Sequence, residues 1–497
     1  MTCSTRSSIG RTTCASSGDG WNWAVATWPT GTPAPTGKPG VLLTSTGPGA
    51  ADSVGAMGEA YFSASSILQV TTNVESEFIG TGKMATHETK DQLGMFSAVT
   101  DWNAQIGQIE SIPDHFVEAF VRFRERRPRP IELEVPTDLL GQSADVEVLQ
   151  PREPQVPQGD PVQVERAWNL LRDAKRPVIF LGEEIHTTGG ADYIIRLAER
   201  LGAAVVTGDG AKGTFPENHP LSLGMALGNR IWGQNPVLDW LGECDVALVL
   251  GSNLPYRSTS GVGLKLPKTI VHVLLDGEYI GRNYDTEVPI AANSGAVVRQ
   301  FLNAAGDTDI GASDAYRREL RAWESIRAVI PDDTIFSLDA TVPANRAVRC
   351  LQMNRPRSYM YPHGWAGLGF GFPAAMGAKV GRPQSPVVCV TGDGGFQYNA
   401  QELGTAVQYG INPIVMVFND SAWGVLKGYQ KDRGSRQMAT DLVNPDFVKL
   451  FDSYGIGGTR VHNVSEMTRA VQDAVSADKI HLIEVVMPDG FPAFCQG

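Results

Sequence analysis

Short apolar runs alternate with helix-length segments along most of this chain, and this alternation restricts its fold more than any other feature. The run Gly40–Thr46 ends in a glycine-proline turn, and similar runs begin at Arg176, Val246 and Thr334. Such an alternation is typical of parallel strands joined by crossover helices. We therefore predict an α/β protein built of doubly wound parallel sheets, with helices on both faces of each sheet.

The length and the pattern together indicate several domains. A chain of 497 residues is longer than one hydrophobic core usually serves. Residues 1–35 are rich in Ser, Thr, Gly and Trp and lack the strand-helix pattern. The rest of the chain divides into three units of similar type, which we place at 36–148, 161–305 and 331–497, with a linker rich in Pro, Gln and Glu between the first two.

Composition excludes several classes of function. The net charge of -12, with no basic cluster to offset it, disfavours nucleic acid as a partner. No apolar run approaches the length of about eighteen residues that a membrane span needs. The 6 cysteines are scattered without metal or redox spacing, so we expect a reduced, cytoplasmic protein.

Two carboxylates follow neighbouring predicted strands in the third unit. Asp393 lies in a Gly-Asp-Gly-Gly turn after one apolar run, and Asp420 follows the next run, which ends at Phe418. The carboxyl ends of neighbouring parallel strands lie close together, and Mg²⁺ is typically bound by one or two carboxylates together with phosphate oxygens. Gly394 and Gly395 would let a diphosphate approach the backbone at the start of a helix. This pattern predicts a magnesium-diphosphate site.

The Gly-Asp-Gly triplet alone is weak support for such a site. The chain contains it twice more, at Gly18 and at Gly208, and neither copy is followed by a second carboxylate at the same spacing. For these two copies we expect a strand-to-helix turn with an Asp cap.

The segments Val390–Leu403 and Phe418–Gly424 resemble the thiamine-diphosphate motif of the acetolactate synthase and 2-oxo acid decarboxylase superfamily, with Asp420 in place of the usual Asn. The similarity extends from Thr36 over nearly all of the chain. It implies that Asp393, the Asp420 side chain and the Ala422 carbonyl bind Mg²⁺. It also implies a set of further contacts to thiamine diphosphate, from Ala366, Leu368, Gly392, Gly394, Gly395, Trp423, Gly424 and Val425.

The resemblance also implies an architecture and an activity. The three units would be pyrimidine-binding, central and diphosphate-binding domains. The cofactor would lie between the first domain of one subunit and the third domain of its partner, in a homodimer or homotetramer. The expected reaction is decarboxylation of a small 2-oxo acid, followed by protonation or ligation of the resulting enamine.

Two alternatives to an acetolactate-forming enzyme stay open. Biosynthetic acetolactate synthases carry Gln-His-Gln-Met-Trp at the start of the third domain, and here the aligned residues are Val342–Arg346. This departure favours a decarboxylase that does not make acetolactate. The second alternative is a catalytically silent homologue that binds the cofactor only.

Several residues are candidates for the catalytic end of the site. By resemblance, Leu368 occupies the position of the apolar side chain that supports the bent cofactor. His363, Trp365 and Trp423 flank the cofactor segments. His87 and Glu88 align with a family loop that reaches the substrate. The alternative for His363 is a structural role, and the alternative for His87 and Glu88 is a cap at the start of a helix.

The central unit raises the question of a second cofactor. Some members of the family hold FAD there and others have lost it. The segment Gly182–Gly189 lacks the G-x-G-x-x-G spacing of a dinucleotide site. We therefore leave FAD undecided, with a purely structural domain as the alternative.

The family's activating Glu is missing from the first unit. That residue precedes an Ala-Asp-Gly-Tyr-Ala-Arg-Ala-Thr-Gly segment, whereas this chain has no Glu before Glu59. One permissible set of codons for Asp19–Pro35, read from the third base, spells Arg-Val-Glu-Leu-Gly-Gly-Arg-His-Met-Ala-Asp-Gly-Tyr-Ala-Arg-Ala, which resembles the missing segment. We hypothesise a frameshifted or mis-sequenced amino terminus, with the frame restored near Thr36.

Overall fold

The computed structural model describes residues 14–16, 36–147, 149, 153–226, 236–256, 258–259, 261–306, 332–344, 347, 351–462, 464–477 and 479–487. These residues form three sheets whose strands are all parallel. The predicted α/β fold with three parallel sheets is therefore confirmed. Among the described residues, no helix combines the length and the apolar content needed to cross a membrane.

The first sheet has five strands in the order β1-β2-β3-β5-β4. Its strands are β1 Cys14–Ser16, β2 Gly40–Thr44, β3 Ile67–Asn73, β4 Trp102–Gln105 and β5 Ile131–Pro136, and its helices are α1 Pro48–Phe62, α2 Gln92–Ser97 and α3 Ile112–Glu125. The strand β1 lies within residues 1–35, where the sequence shows no strand-helix pattern. Residues 1–13 and 17–35, which include most of the proposed frameshift, lie outside the described residues.

The two faces of the first sheet differ in polarity. One face is apolar and contributes Leu68, Ile131 and Leu133 to a buried cluster. On the other face the amide of Gln69 and the carboxyl groups of Glu132 and Glu134 are buried. Burial raises the pKa of Glu132 to about 9, so this side chain is neutral at pH 7.

The second sheet has six strands in the order β11-β10-β9-β6-β7-β8. Its strands are β6 Pro177–Leu181, β7 Ala204–Thr207, β8 Ser222–Met225, β9 Val246–Leu250, β10 Thr269–Leu274 and β11 Val288–Ala291. Its helices are α4 Pro161–Asp173, α5 Ile185–Thr188, α6 Ala191–Leu201, α7 Pro236–Leu241 and α8 Ser294–Ala305. The chain winds in opposite directions from β6 and β9, which makes their carboxyl ends the topological switch point.

The third sheet has six strands in the order β13-β12-β14-β15-β17-β16. Its strands are β12 Ile335–Leu338, β13 Tyr359–Met360, β14 Val387–Gly392, β15 Ile414–Asn419, β16 Gly458–Val461 and β17 His481–Val486. Its helices are α9 Gly371–Gly381, α10 Asp393–Gln397, α11 Glu402–Tyr409, α12 Gly424–Asp432, α13 Phe447–Ser453 and α14 Val464–Ala477. The switch point lies between β12 and β14, next to the predicted metal site.

Candidate functional site

The two predicted metal ligands lie at the ends of paired strands. β14 and β15 are hydrogen-bonded neighbours, with Gly392 opposite Phe418. Asp393 and Asp420 therefore emerge at the same edge of the third sheet. Asp393 is 2% exposed and Asp420 is half-buried.

Burial and mutual repulsion disfavour the ionised forms of these two carboxyl groups when no cation is bound. Burial, and next the charge of Asp393, raise the pKa of Asp420 to about 6. Burial also raises the pKa of Asp393, against the hydrogen bond from Asn444. The described residues contain no group of three or more His, Cys, Asp and Glu side chains suited to a metal. The donor set is thus two carboxylates plus backbone, which fits a hard cation whose other ligands come from a phosphate.

Asn444 orients the first of these carboxylates. Its Nδ2 donates to Asp393 Oδ2 over 2.6 Å and to Asn419 Oδ1 over 2.8 Å. The amide of Asn419 in turn donates to Glu484 Oε1 over 2.8 Å. Asn444 lies far from both predicted ligands in sequence and carries no spacing signal, so sequence analysis missed it.

The turn after β15 is held by a short extended segment. Ser421 has a positive φ of 53°, and Ala422 forms an antiparallel bridge with Asp441. The Trp423 N–H donates to the Thr440 carbonyl over 2.7 Å. These bonds fix Ala422 beside Asp420, and the Ala422 N–H donates to Asp420 Oδ1 over 3.2 Å. Helix α12 then begins at Gly424, with Val425 in its first turn.

Close packing explains the glycines of the site. A Cβ on Gly394 would lie 2.5 Å from the Trp423 ring, and one on Gly392 would lie 2.6 Å from Thr341 Oγ1. A Cβ on Gly424 would lie 2.5 Å from Asp420 Oδ2. Side chains at these positions would displace groups that shape the site.

A buried carboxylate at the switch point anchors the loop that contains Leu368. Asp339, directly after β12, accepts hydrogen bonds from the Gly369 N–H over 3.1 Å and the Gly371 N–H over 3.3 Å. Thr391 Oγ1 also donates to it, over 3.1 Å. Asp339 is 1% exposed, and this burial raises its pKa. Sequence analysis did not single it out.

Glu59 of α1 anchors the other end of the same loop. Its carboxylate accepts hydrogen bonds from the N–H groups of Gly364 over 3.0 Å, Trp365 over 2.7 Å and Ala366 over 3.2 Å. Ala366 has a positive φ of 54°, a conformation that is costly for Ala without such support. The carboxylate oxygens of Glu59 thus accept hydrogen bonds from backbone N–H groups, and Glu59 stabilises the conformation of this loop.

His363, Glu88 and His87 are the remaining candidates for the substrate side of the site, and the structure places each of them differently. The His363 ring lies against Gly210 of the second unit, 2.8 Å from where a Cβ of Gly210 would be. Both oxygens of Glu88 accept hydrogen bonds within its own loop, from the N–H groups of Gly82 over 2.8 Å and Ala85 over 2.9 Å. His87 is exposed, with a positive φ of 69°.

Neither His87 nor Glu88 caps a helix start. The cap of α2 is Asp91, which accepts from the Gly94 N–H over 2.7 Å. The structural alternative that we gave for His87 and Glu88 is therefore wrong in its detail, since the carboxylate of Glu88 closes a loop. Their approach to a substrate stays a prediction.

The switch point of the second sheet is filled by ion pairs. Arg127, which lies between α3 and β5 of the first unit, donates to Glu183 and lies 3.4 Å from Glu184 Oε2. All three side chains are buried. Burial raises the pKa of Glu184 to about 7, against the opposing charge of Arg127. A Cβ on Gly182 would lie 2.3 Å from Ser252 Cα, so the ends of β6 and β9 also approach closely.

Two family descriptions match this chain. Residues 164–301 match the thiamine pyrophosphate enzyme, central domain. Residues 341–485 match the thiamine pyrophosphate enzyme, C-terminal TPP binding domain, and this range contains both Asp393 and Asp420.

Curated proteins are similar over most of the chain. The "Probable acetolactate synthase large subunit" of Methanocaldococcus jannaschii is 30% identical over 490 residues, covering 91% of this chain and 82% of the relative. The "Probable 2-ketoarginine decarboxylase" of Pseudomonas aeruginosa is 29% identical over 472 residues, covering 90% of this chain and 83% of the relative. A thiamine diphosphate-dependent 4-hydroxybenzoylformate decarboxylase from Rhodococcus jostii has a similar fold, with a TM-score of 0.78, 21% identity and 97% of each chain covered.

Proposed function

We propose a role for each part of the site from the premise that this chain belongs to the thiamine pyrophosphate enzyme family, to which its acetolactate synthase relatives belong. The resemblance found in the sequence is thereby confirmed. The chain is a thiamine-diphosphate-dependent enzyme of the 2-oxo acid carboligase and decarboxylase type. The ion, the roles of individual residues and the substrate belong to our proposal.

The observation that carries the proposal is the pair of carboxylates at the ends of β14 and β15, one buried and one half-buried. Asp393, Asp420 and the Ala422 carbonyl would hold Mg²⁺, because a divalent cation offsets the burial, and next the charge of Asp393, that raise the pKa of Asp420. The backbone of Gly392, Gly394 and Gly395, with the turn at Trp423, Gly424 and Val425, would surround the diphosphate. Asn444 would keep Asp393 in the orientation that the ion needs.

When bound, thiamine diphosphate supplies the nucleophilic carbon and accepts the electron pair as the carboxyl group leaves. The protein contributes orientation. Leu368 and Ala366 would contact the cofactor. Asp339 and Glu59 hold the loop of these two residues from both sides. An orientation fixed in advance lowers the cost of reaching the reactive geometry.

Our proposal for the substrate rests on one difference between this sequence and biosynthetic acetolactate synthases. Val342–Arg346 replaces the segment that biosynthetic acetolactate synthases carry at this position. We therefore favour decarboxylation of a 2-oxo acid without formation of acetolactate, and we keep carboligation as the second candidate. His363, His87 and Glu88 stay candidate residues for the substrate side.

Three further parts of the proposal concern assembly and the second unit. The minimum competent unit would be a homodimer. The domains would extend over 36–148, 161–305 and 331–497. The switch point of the second sheet would hold no FAD, because Arg127 and Glu183 already occupy the crevice in which open α/β sheets bind dinucleotides.

An assay of binding and turnover tests the main proposal. Thiamine diphosphate binding is measured with and without Mg²⁺, and CO₂ release is followed from pyruvate and from longer 2-oxo acids. We expect Mg²⁺-dependent binding that Asp393→Asn weakens and that Asp441→Asn, a charge change at an exposed neighbour, leaves intact. Metal-independent binding would contradict the assigned site, and binding without turnover would favour the silent homologue.

The missing Glu has its own test. Replacing residues 19–35 by the sixteen residues of the second reading frame would restore a Glu ahead of Thr36. General acid-base groups contribute about 10² to 10⁴ in rate, so we expect an increase of that order in CO₂ release at unchanged cofactor affinity. The same replacement with Gln instead of that Glu is the control. Equal rates for the two variants would remove the support for the frameshift hypothesis.

A further inference from the structure

A cavity of about 520 Å³ lies between the second and third units, away from the paired carboxylates. On one side it is lined by the segment from α5 to the start of α6, including His186, Gly190 and Tyr193. On the other side it is lined by the segment Arg355–Arg357 and by Arg382 at the end of α9. Its size is that of a small-molecule site.

Three guanidinium groups line this cavity. Within the part of the chain that the structure describes, Arg355, Arg357 and Arg382 form no ion pair with a carboxylate. Burial, and next the charge of Arg382, lower the pKa of Arg357. Burial, and next the charge of Arg355, lower the pKa of Arg382. The cations therefore repel one another, and an anion placed among them would relieve that repulsion.

The backbone adds to this positive potential. Helix α6, which spans Ala191–Leu201, begins at the cavity wall without a side-chain cap on its first N–H groups. Such N–H groups and the helix dipole favour an anion. Asp192 is the carboxylate among the lining residues, and its side chain is exposed.

The arginine-bearing segment is held in place by the second unit. Arg357 donates to the carbonyl of His186. The Arg355 carbonyl accepts from Ser358 Oγ over 2.7 Å and lies 2.8 Å from where a Cβ of Gly213 would be. The Met353 N–H donates to the buried carboxylate of Glu217 over 2.8 Å. The backbone that carries Arg355 is thus already in place before an anion binds.

We propose that this cavity binds a small phosphate-bearing anion and that Arg355 and Arg382 contact its phosphate. Guanidinium groups suit this role because they donate two parallel hydrogen bonds to phosphate oxygens. The apolar faces of Ile185, Pro356 and Tyr193 line the same cavity and would accept an organic group attached to the phosphate. The ligand would bridge the second and third units.

Calorimetric titration of the full chain tests the proposal. The probes are inorganic diphosphate and phenyl phosphate, at an ionic strength held constant with chloride. EDTA is present, so that binding through a metal at Asp393 and Asp420 does not contribute. We expect saturable binding to one site per chain. Tighter binding of phenyl phosphate would assign the site to organic phosphate esters, and tighter binding of diphosphate would assign it to free polyphosphate.

Three variants locate the site. Arg355→Gln and Arg382→Gln each remove one charged donor and should weaken binding about tenfold. Arg469→Gln removes an equal charge from the exposed face of α14 and should leave the affinity unchanged. The proposal is overturned if neither probe binds, if both cavity variants bind as the unmodified protein does, or if Arg469→Gln weakens binding equally. The titration stays informative whatever reaction the enzyme performs.

Discussion

Competition between protons and the metal ion that we propose at Asp420 gives the sharpest prediction of this structure. The pKa of Asp420 is about 6 in the metal-free protein, raised by burial and next by the charge of Asp393. Between pH 7 and pH 5 this carboxyl therefore changes from about nine-tenths ionised to about nine-tenths protonated. Because a cation binds only the ionised form, metal affinity should be about tenfold weaker at pH 5 than at pH 7.

The variant Asp393→Asn separates the two causes of the shift. Loss of the Asp393 charge lowers the pKa of Asp420, while burial keeps it above its ordinary value of 3.8. The affinity at pH 7 should fall, since a charged ligand is lost, and the ratio between the affinities at pH 7 and pH 5 should shrink well below tenfold. The two measurements thus move in ways that a general loss of structure would not produce.

Electron paramagnetic resonance of free Mn²⁺, an ion with the same preference for oxygen ligands, measures this affinity without cofactor. The cofactor is omitted because its diphosphate also titrates. Asp441→Asn is the matched control, since Asp441 is exposed and pairs with Lys427 over 2.7 Å. A metal affinity independent of pH, or an unchanged pH ratio in Asp393→Asn, would refute the coupling of the two carboxylates.

Three further perturbations test the contacts around the site. Glu59→Gln should speed amide hydrogen exchange of residues 364–366 by a factor of about ten, because the charged acceptor of three N–H groups is lost; exchange unchanged there would mean that other contacts hold the loop. Gly394→Ala should lower the melting temperature through contact with the Trp423 ring, at a cost of about 1–3 kcal/mol, whereas Gly428→Ala in α12, with open space at its Cβ, should not. Arg127→Ala should cost about 3–5 kcal/mol at pH 8 by urea denaturation, since two buried carboxylates lose their cation. In this variant the pKa of Glu184, already about 7, rises further above its value in the unfolded state. Because the folded state then binds more protons than the unfolded state, the variant should regain stability as the pH falls. A loss of stability that is equal at pH 8 and pH 6 would contradict this.

The strands and the juxtaposition of Asp393 and Asp420 were predictable because their signals are local. Asp393 and Asp420 each follow an apolar run directly, and parallel pairing of those runs is enough to bring them to one edge of a sheet. The division into three sheets rests on the same alternation. By contrast, β1 lies in a stretch dominated by Ser, Thr and Gly, and pairing with β2 rather than propensity places it in the sheet.

The residues that support the site could not be predicted in the same way. Glu59, Asp339 and Asn444 act through hydrogen bonds to backbone or side chains that are distant in sequence. Nothing in their immediate neighbours distinguishes them from a helix surface carboxylate, a strand-end Asp or a loop Asn. The roles of Glu59 and Asp339 depend on how the loop 363–369 folds, and the role of Asn444 depends on its approach to Asp393 and Asn419. Both are properties of the tertiary structure.

The ion pairs at Arg127 bear on whether the three sheets are independent modules. Three sheets of one type suggest parts that could be separated, exchanged or duplicated singly. Yet the second sheet has the carboxylates of Glu183 and Glu184 buried at its centre, and the cation that neutralises them belongs to the segment that follows α3. Cutting the chain at the linker would leave these two charges in an apolar interior without their partner. The first two sheets are therefore coupled in stability through these ion pairs, and neither would be expected to keep its full stability when separated from the other.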